Sequence, residues 1–304
     1  MEGMRVRPRL WAVWMGVALL MISGCSSGKR SIEVDGLSRS YYVHVPASYT
    51  GEEPVPLLLA LHQFSDTARG MRRLTGFDAI ADREGFIVCY PQGRFRVWNS
   101  GQRDNDSDIA FLSALVESLA AEYAVDPARV YATGISAGGM MAQYLACQTD
   151  LLAAVATVAG SPVRRVLDEC APGAPLPTLL IHGEEDNIVP YRGGDVSTGG
   201  GDMSFPPAME VANAWARING CAESAPVAEI LPPRDAQDPG RVTRYTYPCP
   251  AEAEVIFLSV GGGGHTWPGR DNWYPAFIVG ATSPQLEASE AIWEFLARHR
   301  RVVD

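Results

Sequence analysis

The stretch Val130–Met140, Val-Tyr-Ala-Thr-Gly-Ile-Ser-Ala-Gly-Gly-Met, constrains the fold of this chain more than any other. An apolar, β-branched run ends at Gly134, and Ser136 follows two residues later. Ala137, Gly138 and Gly139 then lead into an apolar segment with helical spacing. Gly-x-Ser-x-Gly between a strand and a helix is the setting of a nucleophile elbow. So tight a turn admits only small residues two positions either side of the serine. Its backbone is strained in a way that glycine tolerates best. The bare pattern also occurs as an inert strand-to-helix turn, so the rest of the chain must supply a base, an acid and donors for an oxyanion.

A serine hydroxyl attacks well only with a base in hydrogen-bond reach, itself oriented by a carboxylate. On this kind of elbow the partners follow in the order acid, then histidine. The chain has five histidines. His44, His62 and His182 precede or adjoin the candidate acid, and His299 sits among arginines of a terminal helix, where a solvated surface position is expected. His265 remains, approached by the glycine run Gly261–Gly264. The acid is expected in the loop after a late strand. Pro177–Ile181 is that strand, and Glu184, Glu185 and Asp186 compete in the loop after it. Asp186 is favoured because Asn187-Ile188-Val189-Pro190 returns to apolar packing and can hold it semi-buried, with both glutamates solvated. One oxyanion donor is expected to be the N–H of Ala137. The other is expected in the loop after the Val55–Leu61 strand, at Phe64 or alternatively at Gln63.

Continuous apolar runs at Val55–Leu61, Phe86–Tyr90, Leu152–Val158 and Pro177–Ile181 read as strands covered on both faces. Helical spacing falls between them, at Met71–Arg83, Asp108–Ala124 and Ala137–Cys147. This alternation predicts an α/β fold with a mostly parallel sheet and helices on both faces. Ser38–Val45 reads as an early antiparallel strand. Beyond Tyr191 the pattern loosens: Arg192–Ser204 reads as a glycine-rich loop, Pro206–Ile218 and Gln285–Arg298 as helices. Ala228–Leu231, Val242–Tyr247 and Val255–Val260 read as strands. Trp98, Trp267 and Tyr191 fall near the predicted catalytic loops, as a substrate wall or as core.

At 304 residues and 47% hydrophobic, the chain can bury one sizeable core. Its net charge of −10 disfavours nucleic acid as a partner. The N-terminus reads as a targeting segment. Arg5, Arg7 and Arg9 precede an apolar stretch from Leu10 to Ile22, too short for a comfortable membrane span, and Ile22-Ser23-Gly24-Cys25 resembles a bacterial lipobox. Residues 1–24 are thus expected to be a signal peptide, Cys25 a lipid-modified residue, 25–30 a tether, and 31–304 one catalytic domain. Export permits disulfides. Cys221 with Cys249 and Cys147 with Cys170 are the expected pairs, each worth about 3 kcal/mol in the chain-entropy model. Cys89 is expected to be a buried free thiol. No cysteine or histidine cluster has zinc-site spacing, and His182 with Asp186 lacks a third ligand, so neither metal nor cofactor is expected.

Several stretches together resemble the polyhydroxybutyrate depolymerase and feruloyl esterase-like group of secreted α/β-hydrolases. They are Asp108-Ile-Ala-Phe-Leu112, Asp126-Pro-Ala-Arg-Val130, Gly134–Met140, Ile181-His-Gly183 with Asp186 and Val189-Pro-Tyr191, Asn219-Gly-Cys221, and Gly264-His-Thr-Trp-Pro-Gly269. The resemblance implies an α/β-hydrolase fold, a triad of Ser136, Asp186 and His265, and hydrolysis of short acyl, hydroxyalkanoate, or feruloyl and acetyl polysaccharide esters. The group usually has glycine after the histidine of the oxyanion loop, whereas this chain has Gln63. Two other functions remain open: a serine peptidase of the prolyl-oligopeptidase type, and a non-catalytic surface lipoprotein that binds through the same fold.

Overall fold

The computed structural model describes residues 28–101, 106–198 and 201–303. Cys25 and the apolar leader lie outside the described residues. A hairpin of β1 (Arg30–Val34) and β2 (Leu37–His44) opens the fold, followed by β3 (Val55–Leu61). Next come α1 (Ala68–Thr75), α2 (Phe77–Glu84), β4 (Ile87–Pro91), α3 (Ser107–Glu122), β5 (Val125–Ile135) and α4 (Ala137–Gln148). The middle of the chain supplies β6 (Ala154–Val158), α5 (Arg164–Asp168), β7 (Thr178–Gly183), β8 (Gly194–Thr198), β9 (Gly201–Phe205) and α6 (Ala208–Ile218). The remainder forms β10 (Val227–Ile230), β11 (Val242–Thr246), β12 (Val255–Val260), α7 (Ala276–Val279) and α8 (Ala288–Leu296).

Ten strands form one sheet in the order β1-β2-β4-β3-β5-β6-β7-β12-β11-β10. The six from β4 to β12 run parallel, and the two strands at either end are antiparallel. The parallel strands are apolar throughout because both faces are covered. On β3, side chains alternate between two cores. Leu57, Leu59 and Leu61 pack with Phe111 and Leu115 of α3, Leu145 of α4 and Trp215 of α6. Leu58 and Ala60 pack with Leu74 of α1, Phe77 of α2 and Ile292 and Phe295 of α8. This is the mostly parallel α/β architecture expected from the sequence.

Three local readings change. The helix expected over Met71–Arg83 is two helices, because Gly76 adopts φ 61° and ends α1. The stretch Arg192–Ser204, read as loop, contains most of the β8–β9 hairpin. His299 is buried rather than solvated: its ring meets Glu254 Oε2 at 3.1 Å and its carbonyl accepts the Tyr131 hydroxyl at 2.7 Å. Disulfides join Cys147 to Cys170 and Cys221 to Cys249, and Cys89 is a buried free thiol. No described helix is long and apolar enough to cross a membrane.

Candidate active site

Ser136 stands alone between the end of β5 and the start of α4, at φ 55° and ψ −126°. An L-residue held there stores about 1–3 kcal/mol of strain, which persists only if its surroundings over-determine it. They do. A Cβ on Gly134 would lie 2.4 Å from the Gly138 carbonyl carbon, and one on Gly138 would lie 2.2 Å from the Leu61 oxygen. Only glycine fits at both flanks. The Ser136 N–H donates to Val158 O at 2.9 Å and its carbonyl accepts the Met140 N–H at 2.9 Å, pinning the turn to β6 and to the first turn of α4. The residue is largely buried, and its hydroxyl has no hydrogen-bond partner among the described residues.

Asp186 lies just past the C-terminal end of β7. Its Oδ1 accepts the N–H groups of Ile188 at 2.9 Å and Val189 at 2.8 Å, which fixes the plane of the carboxylate. Its Oδ2 accepts from His265 Nδ1 at 2.8 Å and lies 3.3 Å from His182 Nε2. Burial alone would raise its pKa. The hydrogen bonds from His182 and His265 outweigh that and hold it well below the usual carboxylate range. An ionised Asp186 can only accept, so the hydrogen of this bond is carried by His265 Nδ1. His265 follows β12 on a backbone packed tightly enough that a Cβ on Gly183 would meet the Gly263 oxygen at 2.2 Å. Its N–H donates to Val279 O at 2.5 Å, anchoring the loop to α7. Ser136, Asp186 and His265 all lie at the C-terminal edge of the parallel strands, beyond β5, β7 and β12. Asp186 and His265 are joined directly, while no hydrogen bond links Ser136 to His265 among the described residues.

The loop after β3 is held from within. His62 Nδ1 donates to Gln63 O at 2.7 Å, while Nε2 accepts the Gly93 N–H at 2.9 Å and Gln92 Nε2 at 2.9 Å. Burial lowers the pKa of this imidazole, which favours the neutral tautomer that those bonds require. Trp98 Nε1 donates to His62 O at 2.8 Å, and Asp108 accepts the Asn99 N–H at 2.7 Å while pairing with buried Arg39 at 2.6 Å. The Gln63 side chain is tucked inward, 3.4 Å from Asp66 Oδ2, so its bulk does not fill the space outside the loop. Phe64 projects its ring into solvent. The backbone N–H groups of Gln63, Phe64 and Ala137 have no acceptor among the described residues. The contact between Gly138 and the Leu61 and His62 carbonyls sets this loop directly against the start of α4.

Sequence reasoning missed two contributors. His182 sits against Asp186 and also donates Nε2–H to Val189 O at 2.8 Å; its spacing of four residues from the acid was the available signal. The His62 ring anchors the candidate oxyanion loop through three polar contacts. Of Trp98, Trp267 and Tyr191, read from the sequence as a substrate wall or as core, Trp267 is fully buried and donates to Ser289 at 2.9 Å, Trp98 is committed to His62, and Tyr191 bonds Ser259 at 2.9 Å. Glu184 and Glu185 are exposed, and Glu184 accepts the Ser259 hydroxyl at 2.7 Å. Among the described residues no group of three or more His, Cys, Asp or Glu side chains is arranged to hold a metal ion.

Residues 38–164, from β2 to the start of α5, match the profile of the family described as "Esterase PHB depolymerase". The chain is 34% identical over 296 residues to "Putative esterase NocK" of Nocardia uniformis subsp. tsuyamanensis, covering 90% of this chain and 84% of that one. It is 30% identical over 236 residues to "Feruloyl esterase B" of Piromyces equi, covering 75% of this chain and 42% of that one. Among solved structures it is similar to an acetyl xylan esterase from Aspergillus awamori, with a TM-score of 0.61 and 16% identity over 89% of this chain and 99% of that one. That last likeness is one of fold, and the fold is the α/β-hydrolase. The near-full-length kinship carries more: this chain belongs to the polyhydroxybutyrate depolymerase-type esterase family.

Proposed function

We propose that this protein is an exported serine esterase working through Ser136, Asp186 and His265. The observation that carries the reading is the Asp186–His265 hydrogen bond at 2.8 Å, at the same sheet edge as a serine held on a strained elbow. In this mechanism His265 Nε2 takes the Ser136 proton as Oγ attacks the ester carbonyl. Asp186 keeps the imidazole in the required tautomer and stabilises the imidazolium. The N–H groups of Ala137 and Phe64 receive the oxyanion, each such donor being worth roughly a hundredfold or more in rate. The imidazolium returns its proton to the departing alcohol. Water, activated by the same base, then hydrolyses the acyl-enzyme. Short acyl, hydroxyalkanoate, and feruloyl or acetyl polysaccharide esters are the substrate classes, in keeping with the names of the relatives.

Residues 31–304 form the one catalytic domain in this reading. The basic and apolar leader directs export, and Cys25 takes the lipid that tethers the enzyme to a membrane. The two disulfides suit an oxidising compartment. The test is hydrolysis of p-nitrophenyl acetate and butyrate by the wild type and by Ser136→Ala. The expected loss is ~10⁴-fold or more, because the three residues act as a unit. Equal rates in the two proteins would overturn the proposal.

A further inference from the structure

A cavity of about 540 Å³ opens beside the oxyanion loop, lined by Asp66, Gly70, Arg69, Arg73, Arg96 and Trp273 among others. It adjoins the loop after β3, where Gln63 Nε2 reaches Asp66 Oδ2 at 3.4 Å and the Ser65 N–H donates to Arg96 O at 2.8 Å. Asp66 ends the stretch that begins at His62, and the opposite wall is Trp273 with Arg73 over its ring. The charge of this cavity runs against that of the whole chain, which is −10. Its lining holds three exposed arginines and one carboxylate. That carboxylate is already engaged, accepting the Thr67 N–H at 2.7 Å and Gln63 Nε2 at 3.4 Å. It is buried over Gly70, where a Cβ would come within 2.1 Å of its Oδ1. None of the three arginines forms an ion pair with a described carboxylate. The Arg96 guanidinium donates Nε–H to the Asp66 backbone oxygen at 3.3 Å, and Arg73 lies over the Trp273 ring at 4.8 Å.

Local energetics do not explain this arrangement. Arg69 and Arg73 are four residues apart on α1, where like charges repel. Arg69 sits in the first turn, at the positive end of the helix dipole, with no acidic residue in that turn. Arg96 is delivered by two consecutive non-glycine residues at positive φ, Phe95 at 53° and itself at 66°. Three guanidinium groups with no carboxylate partner among the described residues, one of them over an aromatic face, make a receptor for a carboxylate, which the guanidinium geometry matches in bidentate fashion.

We propose that this cavity binds a carboxylate that the substrate carries away from its scissile ester, so that the enzyme prefers acidic esters to neutral ones. The proposal rests on the esterase reading of Ser136. The carboxylate could belong to the free end of a hydroxyacid oligomer or to a uronic acid beside an acetylated hydroxyl. Two matched pairs separate these sources: the 3-hydroxybutyrate dimer against its terminal carboxamide, and an acetylated galacturonate disaccharide against its uronamide. For the full chain, kcat/KM is expected to favour the free acid by about tenfold in the pair that matches, mostly through KM, and less so at high salt. In Arg69→Gln/Arg73→Gln the ratio of acid to amide should fall towards one, and in Arg73→Glu it should invert. The amide rate of each variant normalises its acid rate, so a partly unfolded variant does not mimic the effect. Free acids turned over no faster than their amides in both pairs, or an acid preference that survives the double substitution, overturn the proposal. Loss of p-nitrophenyl acetate turnover by the wild type would instead strike the esterase reading itself.

Discussion

Asp186 is the most heavily committed carboxylate near the candidate nucleophile. Two backbone N–H groups hold one oxygen, and two imidazoles approach the other. Its native pKa lies below its unfolded value of about 3.9. The stability it contributes is therefore complete above the carboxylate range and is lost as pH falls through the depressed native value. His182 supplies part of that depression and also satisfies Val189 O. His182→Ala is accordingly expected to destabilise the protein by about 2 kcal/mol near neutral pH. The difference from the wild type should narrow as pH falls below about 4, where Asp186 begins to protonate in the unfolded chain. Urea unfolding at several pH values measures this, and a difference that stays constant into acid would contradict the role given to His182.

At the scale of elements, the junction of β5, α4 and the loop after β3 decides whether the site forms. Gly138→Ala places a methyl group against the Leu61 and His62 carbonyl oxygens, backbone atoms that cannot swing aside. Overpacking of this kind costs about 1–3 kcal/mol, and a shift of the loop by an ångström costs ~10²-fold in rate. Both a lowered melting temperature and a lower kcat are expected, and a fully active Gly138→Ala would contradict this account of the junction. The sequence made this junction legible because its signals are local and steric: an apolar run, a small-residue turn, a histidine after glycines. The β8–β9 hairpin was illegible because glycines erase the alternation that marks a strand. The break between α1 and α2 hid because apolar spacing continues through Gly76 on both sides. His299 misled because its arginine neighbours are surface residues, whereas its own ring packs on Phe295 at 4.7 Å. The part His182 plays depends on a carbonyl and a carboxylate brought to it by a turn, of which the four-residue spacing from Asp186 signals only the second.

Across the whole molecule, ten strands and two cores carry the fold, and the disulfides fasten its periphery. Cys147–Cys170 ties the end of α4 to the segment after α5, and Cys221–Cys249 ties the end of α6 to the segment after β11. They span 23 and 28 residues, so each is expected to contribute about 3 kcal/mol. Reduction under native conditions should lower the melting temperature and speed thermal inactivation, with the initial esterase rate retained because neither bridge touches Ser136, Asp186 or His265. Unchanged stability after full reduction would contradict that assignment. The charge distribution works at the same scale: an acidic molecule keeps three arginines with no carboxylate partner among the described residues beside the loop that would receive the oxyanion.

The central claim is that Ser136 is made nucleophilic by His265 and Asp186. It is tested most directly by labelling the intact protein with a fluorophosphonate and mapping the adduct by mass spectrometry. The account predicts a single adduct on Ser136, formed rapidly in the wild type and slower by ~10³-fold or more in His265→Ala. An adduct on any other residue, or equal labelling of Ser136 in the two proteins, would contradict it.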